Sequence, residues 1–144
     1  MARIVIDSNV IVSAVFGGKP LDAVAIALRN HEIFISGSVE REFEGLLLKL
    51  SRKLKPEQLE SLKVKFKQLF SRAGRVEIKS EIRLCRDPAD NHYLALAHDC
   101  CADYLITGDK DLLEIDPELL RENRFKCRIV TPQWFVDSSR TEKI

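Results

Sequence analysis

The side chains best suited to chemistry in this sequence are acidic residues at the ends of apolar runs. Asp7 interrupts a run that otherwise extends from Arg3 to Phe16. Such a run is typical of a strand buried on both faces, where an uncompensated carboxylate would cost several kcal/mol. We therefore expect Asp7 to lie where the strand ends. The carboxyl ends of the strands line the ligand crevice of an open α/β sheet, so Asp7 is the first candidate for chemistry.

Further acidic positions follow the same logic. Asp109 follows a second apolar run, as Asp7 follows the first. Asp90 lies in the first turn of a predicted helix, in phase with the apolar side of that helix. Helical periodicity after the second predicted strand leaves Glu40 and Glu42 on the two flanks of the next helix. The periodicity does not choose between these two glutamates.

Carboxylates gathered at one edge of a sheet repel one another unless a divalent cation lies among them. Ligand sets made only of oxygen favour a hard ion such as Mg²⁺ or Mn²⁺. Ions of this kind activate water and stabilise charge during hydrolysis of a phosphodiester bond. If the substrate is RNA, basic residues are needed near the acidic site to hold the phosphate backbone.

The acidic positions also have purely structural interpretations. Asp7 has the weakest of these, because Ser8 or Asn9 would cap the following helix equally well. The remaining acidic residues fit ordinary helix starts, turns and acidic first turns: Asp87, Asp90, Asp109, Asp111, Glu40, Glu42 and Glu44.

The elements that would position these residues alternate between strand and helix. Short apolar runs predict strands at residues 3–6, 33–35, 76–79, 104–107 and 128–130, the third of them weak. Helical spacing predicts helices after Asp7 and at residues 20–30, 56–74 and 87–101, one from a Ser38 cap to Leu50, and a short turn at 110–113. An aromatic turn is expected after Thr131. This alternation predicts a mainly parallel sheet of about five strands covered by helices on both faces.

The length of 144 residues is that of one domain. We predict a single domain over residues 1–137 and a polar tail over residues 138–144. The sequence has no apolar stretch of membrane-spanning length and no signal-peptide pattern, so we expect a cytoplasmic protein with no membrane partner. The four cysteines lack a recognised metal-ligand spacing and are interpreted as reduced thiols.

The net charge of +1 hides an asymmetry. Residues 49–79 contain ten Lys or Arg against three Glu, a net of +7 that leaves −6 for the rest of the chain. A basic segment beside an acidic body suits a protein that holds a polyanion near bound metal. Within this segment Lys63, Lys65 and Lys67 are predicted RNA-binding residues. A solvated helical face rich in lysine explains the charge equally well.

Four motifs together resemble the PIN domain family, and most closely its VapC-like branch of toxin ribonucleases from toxin-antitoxin systems. The resemblance covers nearly the whole chain. In order, the motifs are Asp7-Ser8-Asn9, Ser36-x-x-Val39-x-x-Glu42-Phe43, Asp87-Pro88-x-Asp90 with Leu94-Ala95 after it, and Thr107-Gly108-Asp109-Lys110-Asp111-Leu112.

The resemblance implies a three-layer α/β/α sandwich and Mg²⁺- or Mn²⁺-dependent hydrolysis of single-stranded RNA. It also implies a homodimer and a cognate antitoxin protein as partners. The implied catalytic and metal-binding set is Asp7, Glu42, Asp90 and Asp109, so only the family pattern favours Glu42 over Glu40. Implied supports are Ser8, Asn9 and Thr107, with Asp111 as either an extra ligand or a residue that supports the ligands.

Two other classes of protein lack the residues that they need. A haloacid-dehalogenase-like phosphatase requires a second aspartate two residues after the first, where this chain has Asn9. A receiver domain requires a lysine before the proline that follows the last strand, where this chain has Thr131. The remaining alternative is a catalytically idle PIN-like module that binds RNA or forms a complex.

Overall fold

The computed structural model describes residues 1–141 and contains one parallel sheet. Its five strands stand in the order β3-β2-β1-β4-β5, and every neighbouring pair is parallel. Helices flank the sheet, so the predicted three-layer α/β/α architecture is confirmed. The strands are β1 Arg3–Ile6, β2 Glu32–Ile35, β3 Gly74–Arg75, β4 Tyr104–Ile106 and β5 Arg128–Val130.

The described residues also contain eight α-helices and 3-10 turns at Ala14–Phe16 and Pro88–Asp90. Helices α2 and α8 pack against each other, and α5 packs on β1 and β4. The helices are α1 Ser8–Ser13, α2 Gly18–Asn30, α3 Gly37–Leu50, α4 Pro56–Arg72, α5 Asn91–Asp99, α6 Lys110–Leu113, α7 Pro117–Glu122 and α8 Pro132–Arg140.

The core lies around the two central strands. Ile4, Val5, Leu105 and Ile106 are completely buried, as continuous apolar strands in a parallel sheet should be. From β1 the chain moves to β2 on one side of the sheet and later to β4 on the other side. The topological switch point therefore lies between β1 and β4, where open α/β folds place their ligand crevice.

The third strand was predicted at the wrong place. It lies at Gly74–Arg75 and pairs with β2, whereas residues 76–79 are irregular apart from the Val76 N–H that donates to the Ile35 carbonyl at 2.9 Å. Gly74 allows this pairing because a Cβ there would lie 2.9 Å from the Phe34 ring. The apolar residues that suggested a strand instead pack on the core as an irregular segment.

Helix boundaries differ from the prediction at several ends. Helix α2 begins at Gly18, ahead of Pro20. The cap of α3 is Ser36, whose Oγ accepts a hydrogen bond from the Val39 N–H at 3.3 Å, so the prediction of Ser38 as the cap was wrong. Helix α7 was not predicted.

The expected aromatic turn at the C-terminal end is a full helix. Thr131 caps α8 through its Oγ1, which accepts from the Trp134 N–H at 3.1 Å, and Pro132 takes the first helical position. The helix continues to Arg140 with Ser138 buried. Residues 138–140 thus extend the last helix rather than begin a separate tail, and residues 142–144 of the predicted tail lie outside the described residues.

Among residues 1–141, no single helix is both long and apolar enough to cross a membrane. The segments Ser8–Phe16 and Gly18–Asn30, which meet at 116°, satisfy the length and composition criteria only when taken together.

Candidate active site

The candidate site begins where β1 and β4 end side by side. Ile6 is in register with Ile106, and the Asp7 N–H donates to the Ile106 carbonyl at 2.9 Å. A polar residue follows each strand, Asp7 after β1 and Thr107 after β4, and these two residues lie side by side. This juxtaposition lies at the topological switch point of the sheet.

Asp7 is held at both carboxylate oxygens and is only 1% exposed. Its Oδ1 accepts from the Asn9 N–H at 3.0 Å, and its Oδ2 accepts from the Thr107 hydroxyl at 2.7 Å. Burial raises the pKa of Asp7, and the charge of Glu42 adds to this effect, while the two hydrogen bonds oppose it. A buried acid with a raised pKa carries negative charge that its surroundings compensate incompletely.

Thr107 also connects Asp7 to the next acidic residue. Its Oγ1 accepts from the Asp109 N–H at 3.0 Å, and Asp109 in turn caps α6 by accepting from the Asp111 N–H at 2.9 Å. Asp7 caps α1 in the same way through its Oδ1, although Ser8 or Asn9 would have served as a cap equally well. Each carboxylate oxygen has more than one lone pair, so the capping and ligand interpretations are compatible.

Asp90 makes no side-chain capping bond to α5, although it stands at the start of that helix. Burial raises the pKa of Asp90 to about 7, with further contributions from Asp109, Asp87 and Asp7. Among the charged neighbours, Asp109 raises the pKa of Asp90 most. Asp90 therefore lies in the electrostatic field of the acidic residues that follow both β1 and β4.

Helical periodicity did not decide between Glu40 and Glu42 as the site glutamate, and the two residues have different surroundings. Glu40 forms a bidentate ion pair with Arg75, with N–O distances of 2.8 and 2.9 Å. Glu42 points instead toward α5, where its Oε1 accepts from the Tyr93 hydroxyl at 2.6 Å and its Oε2 lies 2.8 Å from His92 Nε2. Burial alone would raise the pKa of Glu42, but the bonds from His92 and Tyr93 lower it.

Tyr93 joins Glu42 to the end of β1. Its hydroxyl lies 2.8 Å from Ser8 Oγ and accepts from the Ser8 N–H at 2.9 Å, and its side chain is completely buried. Neither Tyr93 nor His92 was predicted as a site residue. The available signal was a tyrosine within an apolar helix, because a buried tyrosine hydroxyl requires a hydrogen-bonding partner.

A second group of acidic residues overlaps the predicted set at Asp90. In the described part of the chain, Asp87, Asp90 and Asp111 offer oxygen atoms within 4.8 Å of one another. Arg86 lies beside them, with its Nε 3.0 Å from Asp111 Oδ1 and its Nη2 2.9 Å from Glu114 Oε2. The donor atoms are all carboxylate oxygens, which fit a hard divalent cation such as Mg²⁺ or Mn²⁺.

Comparison with known proteins identifies the family. The chain matches the model of the PIN domain family over residues 3–111. The chain belongs to the PIN domain family. The family resemblance predicted from the four sequence motifs is thereby confirmed. PIN domains are generally nucleases, and PIN nucleases generally use divalent metals.

A solved structure also resembles this PIN domain. It is a chain in the crystal structure of VapBC2 from Rickettsia felis bound to a DNA fragment from their promoter. The two chains are 17% identical and superpose with a TM-score of 0.55, and the match covers 90% of this chain and 98% of the other. This similarity supports the fold. No curated protein matches the chain.

The lysines predicted to bind RNA are divided between two faces of the PIN domain. Lys63 and Lys67 line a groove of about 620 Å³ with Arg75, Phe66 and Phe70. Lys65 lines a different groove, beside Pro56 and Val64. Alternate residues of α4 diverge because successive helical positions are about 100° apart.

The bonds made by Tyr93 lead to a prediction about Glu42. Tyr93→Phe removes the hydroxyl that binds Glu42 and Ser8, so we expect nuclease activity to fall about tenfold, as for other partners that orient metal ligands. Folding stability should fall by about 1–3 kcal/mol, because the partners of the hydroxyl are buried. Cleavage kinetics and urea denaturation measure the two effects.

The matched control is Tyr104→Phe. Tyr104 begins β4 at the end opposite the site and packs against Trp134 and Phe135. We expect this variant to retain the parent's activity. Equal activities for the two variants would contradict the orienting role of the Tyr93 hydroxyl.

Asp90 should make the free energy of unfolding of the metal-free protein depend on pH. Its pKa is about 7 in the folded state against a reference of 3.8, so the folded state binds the proton more tightly. The free energy of unfolding should therefore rise as the pH falls from about 7 to about 5. Asp90→Asn should be more stable than the parent at pH 7 and should lose most of this rise.

Urea denaturation in EDTA at both pH values measures this effect, with exposed Asp22→Asn as the control. If the parent and Asp90→Asn show the same pH slope, the raised pKa is wrong.

Proposed function

We propose that the protein is a Mg²⁺- or Mn²⁺-dependent endoribonuclease that hydrolyses phosphodiester bonds of single-stranded RNA. The observation that carries this proposal is the polar junction at the ends of β1 and β4, where Thr107 Oγ1 donates to Asp7 Oδ2 and accepts from the Asp109 N–H. The raised pKa values of Asp7 and Asp90 mark negative charge that lacks compensation from neighbouring protein groups. A divalent cation would supply that compensation.

In this proposal Asp7, Glu42, Asp90 and Asp109 hold the metal. When bound, Mg²⁺ or Mn²⁺ supplies activation of water and stabilisation of the charge that develops on the phosphate. The Thr107 hydroxyl and the Asn9 N–H fix the Asp7 carboxylate, while Tyr93 and His92 fix the Glu42 carboxylate.

Asp111 is proposed as a further ligand, and Asp87 is close enough to join it with Asp90. Arg86 contacts Asp111 through Nε and Glu114 through Nη2, which leaves Nη1 for other contacts. A guanidinium group there reduces repulsion between the acidic site and an approaching RNA phosphate. Ser8 supports the site through its two contacts with Tyr93.

For the RNA backbone we propose Lys63, Lys65 and Lys67. The groove that Lys63 and Lys67 line supports these two lysines more strongly, because Phe66 and Phe70 add aromatic surface there. The charge of Arg75 in the same groove is paired with Glu40. Basic residues beside aromatic surfaces are typical of sites that bind single strands.

We further propose that the protein is the toxin of a toxin-antitoxin pair that acts in the cytoplasm, forms a homodimer and binds an antitoxin protein. Similarity to a chain of the VapBC2 complex supports this assignment through the fold. Co-expression with the product of a small adjacent gene would test it. Growth inhibition relieved by that gene product is expected, and growth unaffected by the active nuclease would contradict it.

The substrate class is tested with purified protein and Mn²⁺. Single-stranded RNA, the same RNA in a duplex and single-stranded DNA of the same sequence serve as substrates. We expect internal cleavage of the single-stranded RNA, which EDTA abolishes. Binding of RNA without cleavage would identify an idle RNA-binding module instead.

A further inference from the structure

A groove of about 370 Å³ opens directly beside the candidate site. Asn9 and Asp109 form part of its lining, so it begins at the acidic residues themselves. Its volume lies within the range of small-molecule sites in proteins. The remaining lining residues are Val10, Ser13, Pro20, Gly108 and Pro132.

The lining combines apolar surface with a few polar groups. Val10, Pro20 and Pro132 offer apolar faces, and Ser13 offers a hydroxyl. The Asn9 amide has one N–H directed to Asp7 Oδ1 at 3.5 Å and still has a second N–H and an acceptor oxygen. Single-stranded RNA exposes the faces and hydrogen-bonding edges of its bases, and the 2′-hydroxyl is both a donor and an acceptor. The groove therefore has the chemistry that a nucleoside requires.

Position relative to the carboxylates adds a second reason. A phosphodiester bond carries one nucleoside on each side, so a phosphate positioned by a cation bound at Asp7 and Asp109 would place a nucleoside in the adjoining space. Another cavity, of about 600 Å³, borders the site at Asn91 and His92. Several polar groups of that cavity are already engaged within the protein, since Ser80 binds Asp99 and Asn91 binds the Cys85 N–H.

We propose that this groove binds the nucleoside next to the cleaved phosphodiester bond of the RNA substrate. The inference rests on the proposed ribonuclease function. Gly108 has a specific part in it, because this residue lies in the groove wall and a Cβ built there meets no atom within 4 Å. The wall beside Asp109 is thus left open for substrate.

Filling the groove tests the proposal without removing an acidic residue. Gly108→Leu and Ser13→Leu add bulk at two separate points of the lining. Gly45→Leu is the matched control, because Gly45 lies in α3, outside the groove, and its Cβ position is equally open. The readouts are kcat/KM on single-stranded RNA and the Mn²⁺ dissociation constant measured by electron paramagnetic resonance.

We expect kcat/KM to fall by up to about a hundredfold in both groove variants, because a displaced nucleoside would misplace the reacting phosphate. Mn²⁺ affinity should stay within about twofold of the parent in Ser13→Leu, because Ser13 is not one of the proposed metal ligands. The control should match the parent in both readouts. An abasic nucleotide beside the cleaved bond should slow the parent strongly and the groove variants little further.

Two failures are distinguishable. If the parent does not cleave RNA with Mn²⁺, the proposed function is wrong. If the parent cleaves RNA and both groove variants retain its kcat/KM, the function stands and the groove does not bind the nucleoside.

Discussion

Replacing Asp7 with asparagine is expected to lower RNA cleavage by about a hundredfold or more while the fold remains intact. The loss follows because the variant lacks the charge of the most deeply buried carboxylate in the proposed metal site. Removal of one preorganised electrostatic group from an active site commonly has an effect of this size. Cleavage of a labelled single-stranded RNA with Mn²⁺ measures it.

The stability of metal-free Asp7→Asn should equal or exceed that of the metal-free parent. Asparagine has the shape of aspartate and can still accept from the Asn9 N–H, while its amide can donate to Thr107 Oγ1. Because burial raises the pKa of Asp7, the charged form destabilises the metal-free protein above that pKa. Asp7→Asn removes this charge, so its metal-free Tm at pH 7 should equal or exceed that of the parent.

Asp116→Asn is the matched control for Asp7→Asn. Asp116 caps α7 by accepting from the Glu118 N–H at 2.9 Å, the same local arrangement that Asp7 makes with Asn9. It is exposed and stands outside the candidate site. We expect this variant to cleave RNA like the parent, and equal losses in the two variants would contradict a special role for Asp7.

Metal binding should stabilise the folded protein, and it should do so less in a variant that lacks a metal-binding side chain. A metal ion at a hundredfold excess over its dissociation constant adds about 2.7 kcal/mol to the free energy of unfolding. We therefore expect Mn²⁺ to raise the Tm of the parent, and EDTA to remove both this gain and the nuclease activity. Thermal denaturation with increasing Mn²⁺ measures the effect.

The variant Glu42→Gln should lose most of the Mn²⁺-dependent rise in Tm, because it lacks one charged ligand. Its matched control is Glu44→Gln, two residues further along the same helix and exposed. The control should keep the full rise. If Mn²⁺ raises the Tm of Glu42→Gln and the parent equally, Glu42 is not a ligand.

Sequence patterns predicted the parts of this protein that depend on local physics. A charge that interrupts a buried strand must lie at its end, and Asp7 does lie there, next to the end of β4. The alternation of strands and helices predicted the parallel sheet for a similar reason, since each apolar run had to be buried between helical layers.

Contacts between residues far apart in the chain could not be predicted from sequence patterns. Helical periodicity placed Glu40 and Glu42 on opposite flanks, but only the folded chain shows Arg75 beside one and Tyr93 beside the other. The short strand β3 was predicted at residues 76–79 instead of Gly74–Arg75, because its pairing depends on a glycine that fits against the Phe34 ring. Neither feature has a signature within its own segment.

The most direct test of the central claim is a Mn²⁺ titration of RNA cleavage by the parent and Asp7→Asn, purified in parallel. The proposed function predicts no cleavage by the parent in EDTA, a rate that rises and saturates with Mn²⁺, and almost no cleavage by Asp7→Asn at any Mn²⁺ concentration. Cleavage by the parent that is independent of Mn²⁺, or equal rates for the two proteins, would contradict it.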